Sequence, residues 1–338
     1  MFKKIRNKQE NMFETHVEDL VRKDHPYRKL LSIIDFKELC KPLQGILNEK
    51  KGCPGYNIES GFAGLLLQWM EDLSDRELER FLQENNAGKY LCGFSLLEKT
   101  PDHSYFSVLR KKIGPQKLAD IFNLIVTKLK ENRLASNVFT FVDASKMVAK
   151  SALWEERDRA IKKGIEKFNN NTVKNFASDN QARFGCKGKD KYWFGYKRHV
   201  AVCMKTGFIT KTAVTPANVT DAKGLKHVCP KESIIYADKG YAEKAVFKFL
   251  EKKKCQNKII LKNNMLEKDF ERDAKISKIR MPYEGVFSKM DKKSRYIGIA
   301  KNQFQGFMQA IAYNLKKLIK INAPSLFTTN LQVNCIYR

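Results

Sequence analysis

The chain has 338 residues, 43% of them hydrophobic, and 64 lysines and arginines against 37 acids, a formal charge of +27. That length holds one large domain or two ordinary ones, and a basic surplus spread along the whole chain calls for a polyanionic partner with an extended contact surface. No apolar run approaches the roughly 20 residues that span a bilayer; the longest, FAGLLLQWM at 62–70, reads as a core helix, and residues 1–16 lack the apolar stretch of a secretory signal.

The first part of the chain, 1–135, reads as all-helical. KLLSIIDFKEL at 29–39 has one apolar helical face, and Phe62, Leu65, Leu66, Trp69 and Met70 recur at helical spacing. Ser74 and Glu77 form a capping box ahead of RELERFLQEN. Thr100 as cap, with Pro101 at the first helical position, predicts a helix over 100–114, and PQKLADIFNLIVTKLKEN predicts a long amphipathic one. Such a unit suits DNA binding or oligomerisation.

The pattern changes near 137. NVFTFVDAS is β-rich and is expected to end on Asp143. Residues 151–190 are polar and read as loop with some helix. KYWFGYKRHVAVCM and GFITKTAVTP predict a hairpin turning at Lys205, Thr206 and Gly207. A helix start at TDAKGLKHV, the strand SIIYAD, the helix YAEKAVFKFLEKKK and the strand NKIILK follow, and the chain reads as helical again from about 284. This order implies an α/β domain over 136–320 with a mixed sheet and flanking helices. Residues 321–338 carry no readable pattern. The eight cysteines form no C-x-x-C, and the five histidines form no ligand pair, so reduced structural thiols and a packed His199 are expected.

Three acids stand where elements present them: Asp143 and Asp238 at strand ends, and Glu284 in RMPYEGVFSKMDKK. Carboxylates gathered at one sheet edge repel one another and call for a counter-charge. Hard magnesium, with its oxygen ligands and retained waters, is the natural one. Two such ions can serve an in-line displacement at a phosphodiester. Asp221 is a competing acid, but it sits where a helix begins and reads as an N-cap; Glu271, Asp273 and Asp291 are rivals to Glu284. Trp154 and Trp193 could stack on bases, although core packing suits an indole better. For Asp238, Gly240 is expected to allow the tight turn that follows it.

These residues resemble a known family, the DDE transposases of bacterial insertion sequences (IS4-like, with a short catalytic domain free of a large insert). The resemblance runs from about 25 to 318. It rests on DHPYRKLLSIIDF, LSDRELERFLQEN and KTPDHSYFSVLRKKIG, then FVDAS, the hairpin region, IYADKGY, and RMPYEGVFSKMDKK with the helix after it. It implies an RNase H-like, retroviral-integrase-type fold and a metal-binding triad of Asp143, Asp238 and Glu284. It implies two Mg2+ ions, with Mn2+ as substitute, and Arg280 on backbone phosphate. Lys292, Lys289 and Lys239 are further DNA contacts on this reading. The partners implied are double-stranded DNA, as element ends and target, and a second copy of the chain on paired ends. No membrane and no small-molecule substrate is expected, and the location implied is the bacterial cytoplasm, at the nucleoid. Two positions depart from the family pattern: Asp291 stands where a lysine is usual and Ser277 where a tyrosine is usual. Two alternatives stay open: a DNA-binding relic or regulator without catalysis, and an RNase H-like nuclease that cuts without joining.

Overall fold

A computed structural model describes residues 15–46, 55–151, 153–164, 169–188, 191–266 and 268–327. Cys53, Cys335, the side chain of Trp154 and the tail beyond 327 lie outside the described residues. The chain divides into two compact units, one from Met1–Asn132 and Ile311–Arg338, the other Arg133–Ala310.

The first unit is helical: α1 (Pro26–Ile33), α2 (Phe36–Leu39), α3 (Ile58–Met70), α4 (Asp75–Glu84), α5 (Asn86–Cys92) and α6 (His103–Glu131). The single helix expected over 29–39 is two, because Asp35 turns extended and caps α2 through the amides of Lys37 and Glu38. α3 is buried on every side from Gly61 to Met70, not on one face, and so serves as the unit's central helix. The capping box at Ser74 and Glu77 forms as expected, with both reciprocal hydrogen bonds. α6 starts later than Thr100 and Pro101 suggested. Asp102 takes the cap, accepting from the Tyr105 amide at 2.8 Å. Within α6, Gly114 adopts φ 64°, a left-handed break just ahead of Pro115, so the two helices anticipated there meet at a kink. Whereas the sequence suggested a limit at 320, the C-terminal helix divides between the units at Ala310. Beyond that point Lys29 Nζ donates to Asn322 Oδ1 (3.0 Å) and Leu326 N to the Ile33 carbonyl (2.8 Å).

The second unit holds β1 (Phe139–Val148), α7 (Trp154–Lys162), α8 (Val173–Phe176), β2 (Arg183–Lys187), β3 (Lys191–Cys203), β4 (Ile209–Pro216), α9 (Asp221–Val228), β5 (Ile234–Ala237), α10 (Lys244–Lys252), β6 (Gln256–Ile259) and α11 (Phe270–Ser288). α12 (Ile299–Lys320) begins in it. One mixed sheet runs β2-β3-β1-β5-β6, with β4 also on β3. β3 and β4 form the expected hairpin, with Gly207 at φ 74° in the turn. β2 is an addition to the polar stretch: it pairs Phe184 with Phe194 and sets their rings in tilted contact, 5.2 Å between centres. One face of the sheet is buried under α9 and α10 by Val142, Ala201, Leu225, Val228, Ile235, Tyr241 and their neighbours. β1 pairs antiparallel with β3 and parallel with β5.

Candidate carboxylate centre

The parallel register of β1 and β5 sets Phe139 beside Ile234 and Phe141 beside Tyr236. Continued for two residues, it brings Asp143 level with Asp238. β5 ends at Ala237, and Asp238 caps the short 3₁₀ turn Lys239–Tyr241 by accepting from the Lys239 amide at 2.7 Å. β1 does not end on Asp143, as the sequence suggested. It continues to Val148 because the long β3 remains its partner as far as Gly195. Asp143 is therefore presented at the step where one neighbour stops and the other goes on. Gly195 makes the far end possible, since a Cβ there would stand 2.3 Å from the Met147 carbonyl oxygen.

Glu284 arrives on α11, which begins at Phe270 and not near 284. Asp269 caps it through the Arg272 amide, and Glu284 lies near its C-terminal end. Pro282 and the many charges hid this helix in the sequence. Asp273, Ile276 and Arg280 form its buried stripe at helical spacing. That stripe lays the Arg280 guanidinium 5.4 Å from the Phe141 ring centre. Arg280 then reaches both exposed acids, 3.7 Å from Asp238 and 3.6 Å from Glu284. The arginine side chain is 5% exposed, whereas Asp238 and Glu284 are 50% and 58% exposed. A buried cation thus underlies two carboxylates that face solvent. Both separations exceed hydrogen-bond length, so neither acid is fully engaged.

Asp143 is less well served. Its carboxylate accepts from the Ala144 amide at 2.8 Å. Burial pushes its pKa up to about 6; that amide and Arg280 oppose the rise, and the charges of Asp221 and Asp238 add to it. Tyr241, fully buried nearby, is raised well above its ordinary range, first by burial and then by Asp143, Asp221 and Asp238.

The other acids sort by their partners. Asp273 is closed off by Lys268 at 2.6 Å, Arg272 at 2.9 Å and the Leu261 amide at 3.1 Å. Asp291 accepts from Gln309 Nε2 at 2.8 Å and pairs with Arg295 at 3.5 Å. Glu271 stands in the first turn of α11, away from Glu284 at its other end. Asp221 is not the N-cap; Thr220 is, accepting from the Lys223 amide, and Asp221 pairs instead with Lys197 at 2.8 Å. Its approach to the centre was the residue-level feature that sequence reasoning missed, and an acid one residue past a good cap was the available signal. Gly240 does not take a left-handed φ. What it provides is room, since a Cβ there would lie 3.4 Å from Asp221 Oδ2.

Lys239, Lys289 and Lys292 are exposed. The Lys292 carbonyl accepts from the Val148 amide at 2.8 Å, which ties that segment to the end of β1. Trp193 is partly buried, its Nε1 donating to the Tyr196 carbonyl at 3.1 Å. His199 is a packed core residue, hydrogen-bonded to Thr215 Oγ1 at 2.9 Å, and burial lowers its pKa to about 3. The six described cysteines form no disulfide, and all but Cys186 are buried.

The donor chemistry suits a hard divalent cation: three carboxylates, two of them open to solvent, and a third short of partners. Their oxygens are not drawn into one coordination sphere; among the described residues no group of three acids, histidines or cysteines is close enough to hold a metal. Arg280 supplies the positive charge between Asp238 and Glu284.

The mixed sheet, with Asp143 on β1, Asp238 just past the end of its parallel neighbour β5 and Glu284 on α11, has the arrangement of an RNase H-like fold. Residues 136–315 match the family described as Transposase DDE domain, and residues 15–112 match Transposase domain (DUF772). The chain belongs to the DDE transposases of bacterial insertion sequences. It is 30% identical over 162 residues to the transposase for insertion sequence element IS1106 of Neisseria meningitidis serogroup B. That match covers 44% of this chain and 56% of the relative, so the chain spans little more than half the length of that protein. No solved structure matches the chain.

Proposed function

We propose that this chain binds the terminal inverted repeats of its own insertion sequence, cuts them, and joins the freed 3′-hydroxyl ends to target DNA. What supports the reading is the β1–β5 register, which continued for two residues brings Asp143 level with Asp238, together with Arg280, buried and lying 3.7 Å from Asp238 and 3.6 Å from Glu284. Asp143, Asp238 and Glu284 would hold Mg2+, for which Mn2+ would substitute. When bound, the metal activates the attacking oxygen and stabilises the leaving one. The chain's own residues do the rest. The +27 charge gathers the DNA backbone. Lys239, Lys289 and Lys292, exposed and following Asp238 and Glu284 in the sequence, contact phosphates on this reading. Once Asp238 and Glu284 are neutralised, Arg280 is free to donate to a backbone phosphate. Water attacks the phosphodiester at the element end and the 3′-oxygen leaves; that 3′-hydroxyl then attacks a target phosphodiester, whose own 3′-oxygen leaves. The helical unit, 1–135, binds the ends and pairs two copies of the chain, in the bacterial cytoplasm at the nucleoid.

The test is single-nucleotide mapping of nicks on DNA carrying the gene's flanks, with Mg2+ and with Mn2+, beside Asp238→Ala. Metal-dependent nicks at flanking repeats, lost in the variant while binding persists, are expected. Bound but uncut DNA in both metals would point to a non-catalytic binder, and cutting without joined products to a nuclease.

A further inference from the structure

Asp221 has no part in the triad, yet the fold carries it to the same place. α9 is seated tightly on the sheet: a Cβ at Gly224 would fall 2.0 Å from the His199 ring, so only glycine lets the helix lie this close. Thr220 does the capping, which leaves the Asp221 side chain free for another task. Its Oδ1 meets Lys197 Nζ at 2.8 Å, and its Oδ2 faces the turn directly after Asp238, 3.4 Å from where a Gly240 Cβ would stand. Beside it lies a second unexplained group. Tyr241 is fully buried, its hydroxyl has no hydrogen-bond partner, and the charges around it are Asp143, Asp221 and Asp238, with Arg280 opposing them. A buried hydroxyl left without a partner is costly. Next to three carboxylates it marks a polar space that a hydrated cation would complete.

We propose that Asp221 is a fourth carboxylate of the centre, a positioning residue that holds the water shell of a divalent cation, with Lys197 balancing its charge while the cation is absent. Magnesium and manganese keep several of their waters, and carboxylates behind the direct ligands orient those waters. The Tyr241 hydroxyl takes part in the same shell. Lys197 and the cation compete for Asp221, so removing one strengthens the hold of the other. This rests on the reading that Asp143, Asp238 and Glu284 bind the metal.

The experiment is Mn2+ titration of the full-length protein, followed by the electron paramagnetic resonance of free Mn2+, with the melting temperature of each variant recorded without metal. Asp221→Asn is expected to weaken Mn2+ binding by about 10-fold, the scale of lost outer-shell partners. Asp221→Glu should restore most of it, and Lys197→Gln should leave binding equal or tighter. An ion pair that is only structural predicts otherwise: Asp221→Asn and Lys197→Gln would lower the melting temperature together and leave Mn2+ affinity unmoved, which overturns the proposal. Asp143→Asn separates the two levels. If wild-type protein binds no Mn2+, or Asp143→Asn binds as wild type, the reading of the centre itself fails. If Asp143→Asn loses binding while Asp221→Asn keeps it, only the role of Asp221 fails.

Discussion

Asp75 in the helical unit and Asp143 in the sheet unit are both partly withdrawn from water, and they are treated in opposite ways. Asp75 is met by Arg110 through two nitrogens, at 3.1 and 2.6 Å, and by Gln68 Nε2 at 2.6 Å. Burial alone would raise its pKa, but those hydrogen bonds and the arginine's charge overcome it and hold the carboxyl below its ordinary value. Asp143 has one amide, an arginine shared with two other acids, and like charges beside it, and its pKa rises to about 6. A carboxylate that serves the fold is given its counter-charge by the chain. On the proposed reading Asp143 serves chemistry and is left short of it, and the shortage is what a metal and a phosphate would fill.

The largest effect that tests this contrast is on catalysis. Asp143→Asn or Asp238→Asn should reduce DNA cleavage on the order of a thousandfold or more, since each removes a charged oxygen from the reacting centre. Binding of end DNA, measured by gel shift, should stay within a few-fold of wild type. Asp75→Asn should leave cleavage per folded molecule unchanged. Comparable loss of cleavage in all three would erase the distinction.

On stability the ranking reverses. Asp75→Ala leaves the Arg110 guanidinium, 12% exposed, without its acid, and should cost about 3 kcal/mol in urea unfolding. Asp143→Asn should do the opposite at neutral pH. The carboxyl binds its proton more tightly in the folded chain, near pH 6, than at its ordinary value of 3.8. Its contribution to stability is therefore full below about pH 4 and is lost as pH rises through 6. Asparagine cannot ionise, so the variant should gain about 3 kcal/mol at pH 8 and little at pH 4. Urea curves at the two pH values check this, and equal gains at both would show that charge is not the cause.

How much of this could be read in the sequence follows from the range of the forces involved. The strand SIIYAD and the acid at its tip are local, since an apolar run and a capping carboxylate announce themselves within a few residues. The capping box at Ser74 and Glu77 was legible for the same reason. The end of β1 was not, because it depends on how long β3 remains a partner across more than forty intervening residues. Nor was the true start of α11: the polar face of KISKIRMPYEG hides a stripe defined only by what packs against Asp273, Ile276 and Arg280. Asp221 was misread for a related reason. Its neighbour Thr220 took the local role, and only the fold of α9 against β3 brought the acid to Lys197 and the centre.

Asp291 is the smallest and sharpest case, a departure from the family's lysine that the structure explains by packing. Its backbone carbonyl accepts from Arg198 Nη2 at 2.5 Å. Arg198 is fully buried, and its Nε and Nη1 have no hydrogen-bond partner. Burial lowers its pKa to about 10, and the charge of Asp291 works against that fall. The Asp291 carboxylate also takes Gln309 and Arg295. A lysine here would orphan Gln309 Nε2 and set a second cation beside a buried, under-paired guanidinium. Asp291→Lys, the change that restores the family pattern, should therefore destabilise the sheet unit by about 1 kcal/mol, the scale of one side-chain hydrogen bond lost, and should not raise cleavage. Asp291→Asn keeps an acceptor for Gln309 and should cost less than the lysine. Urea midpoints and initial cleavage rates on the same preparations decide it. A lysine variant that is equally stable and cuts faster would mean that position 291 faces DNA, and that its acid belongs with the under-served group of Asp143 and not with the paired group of Asp75.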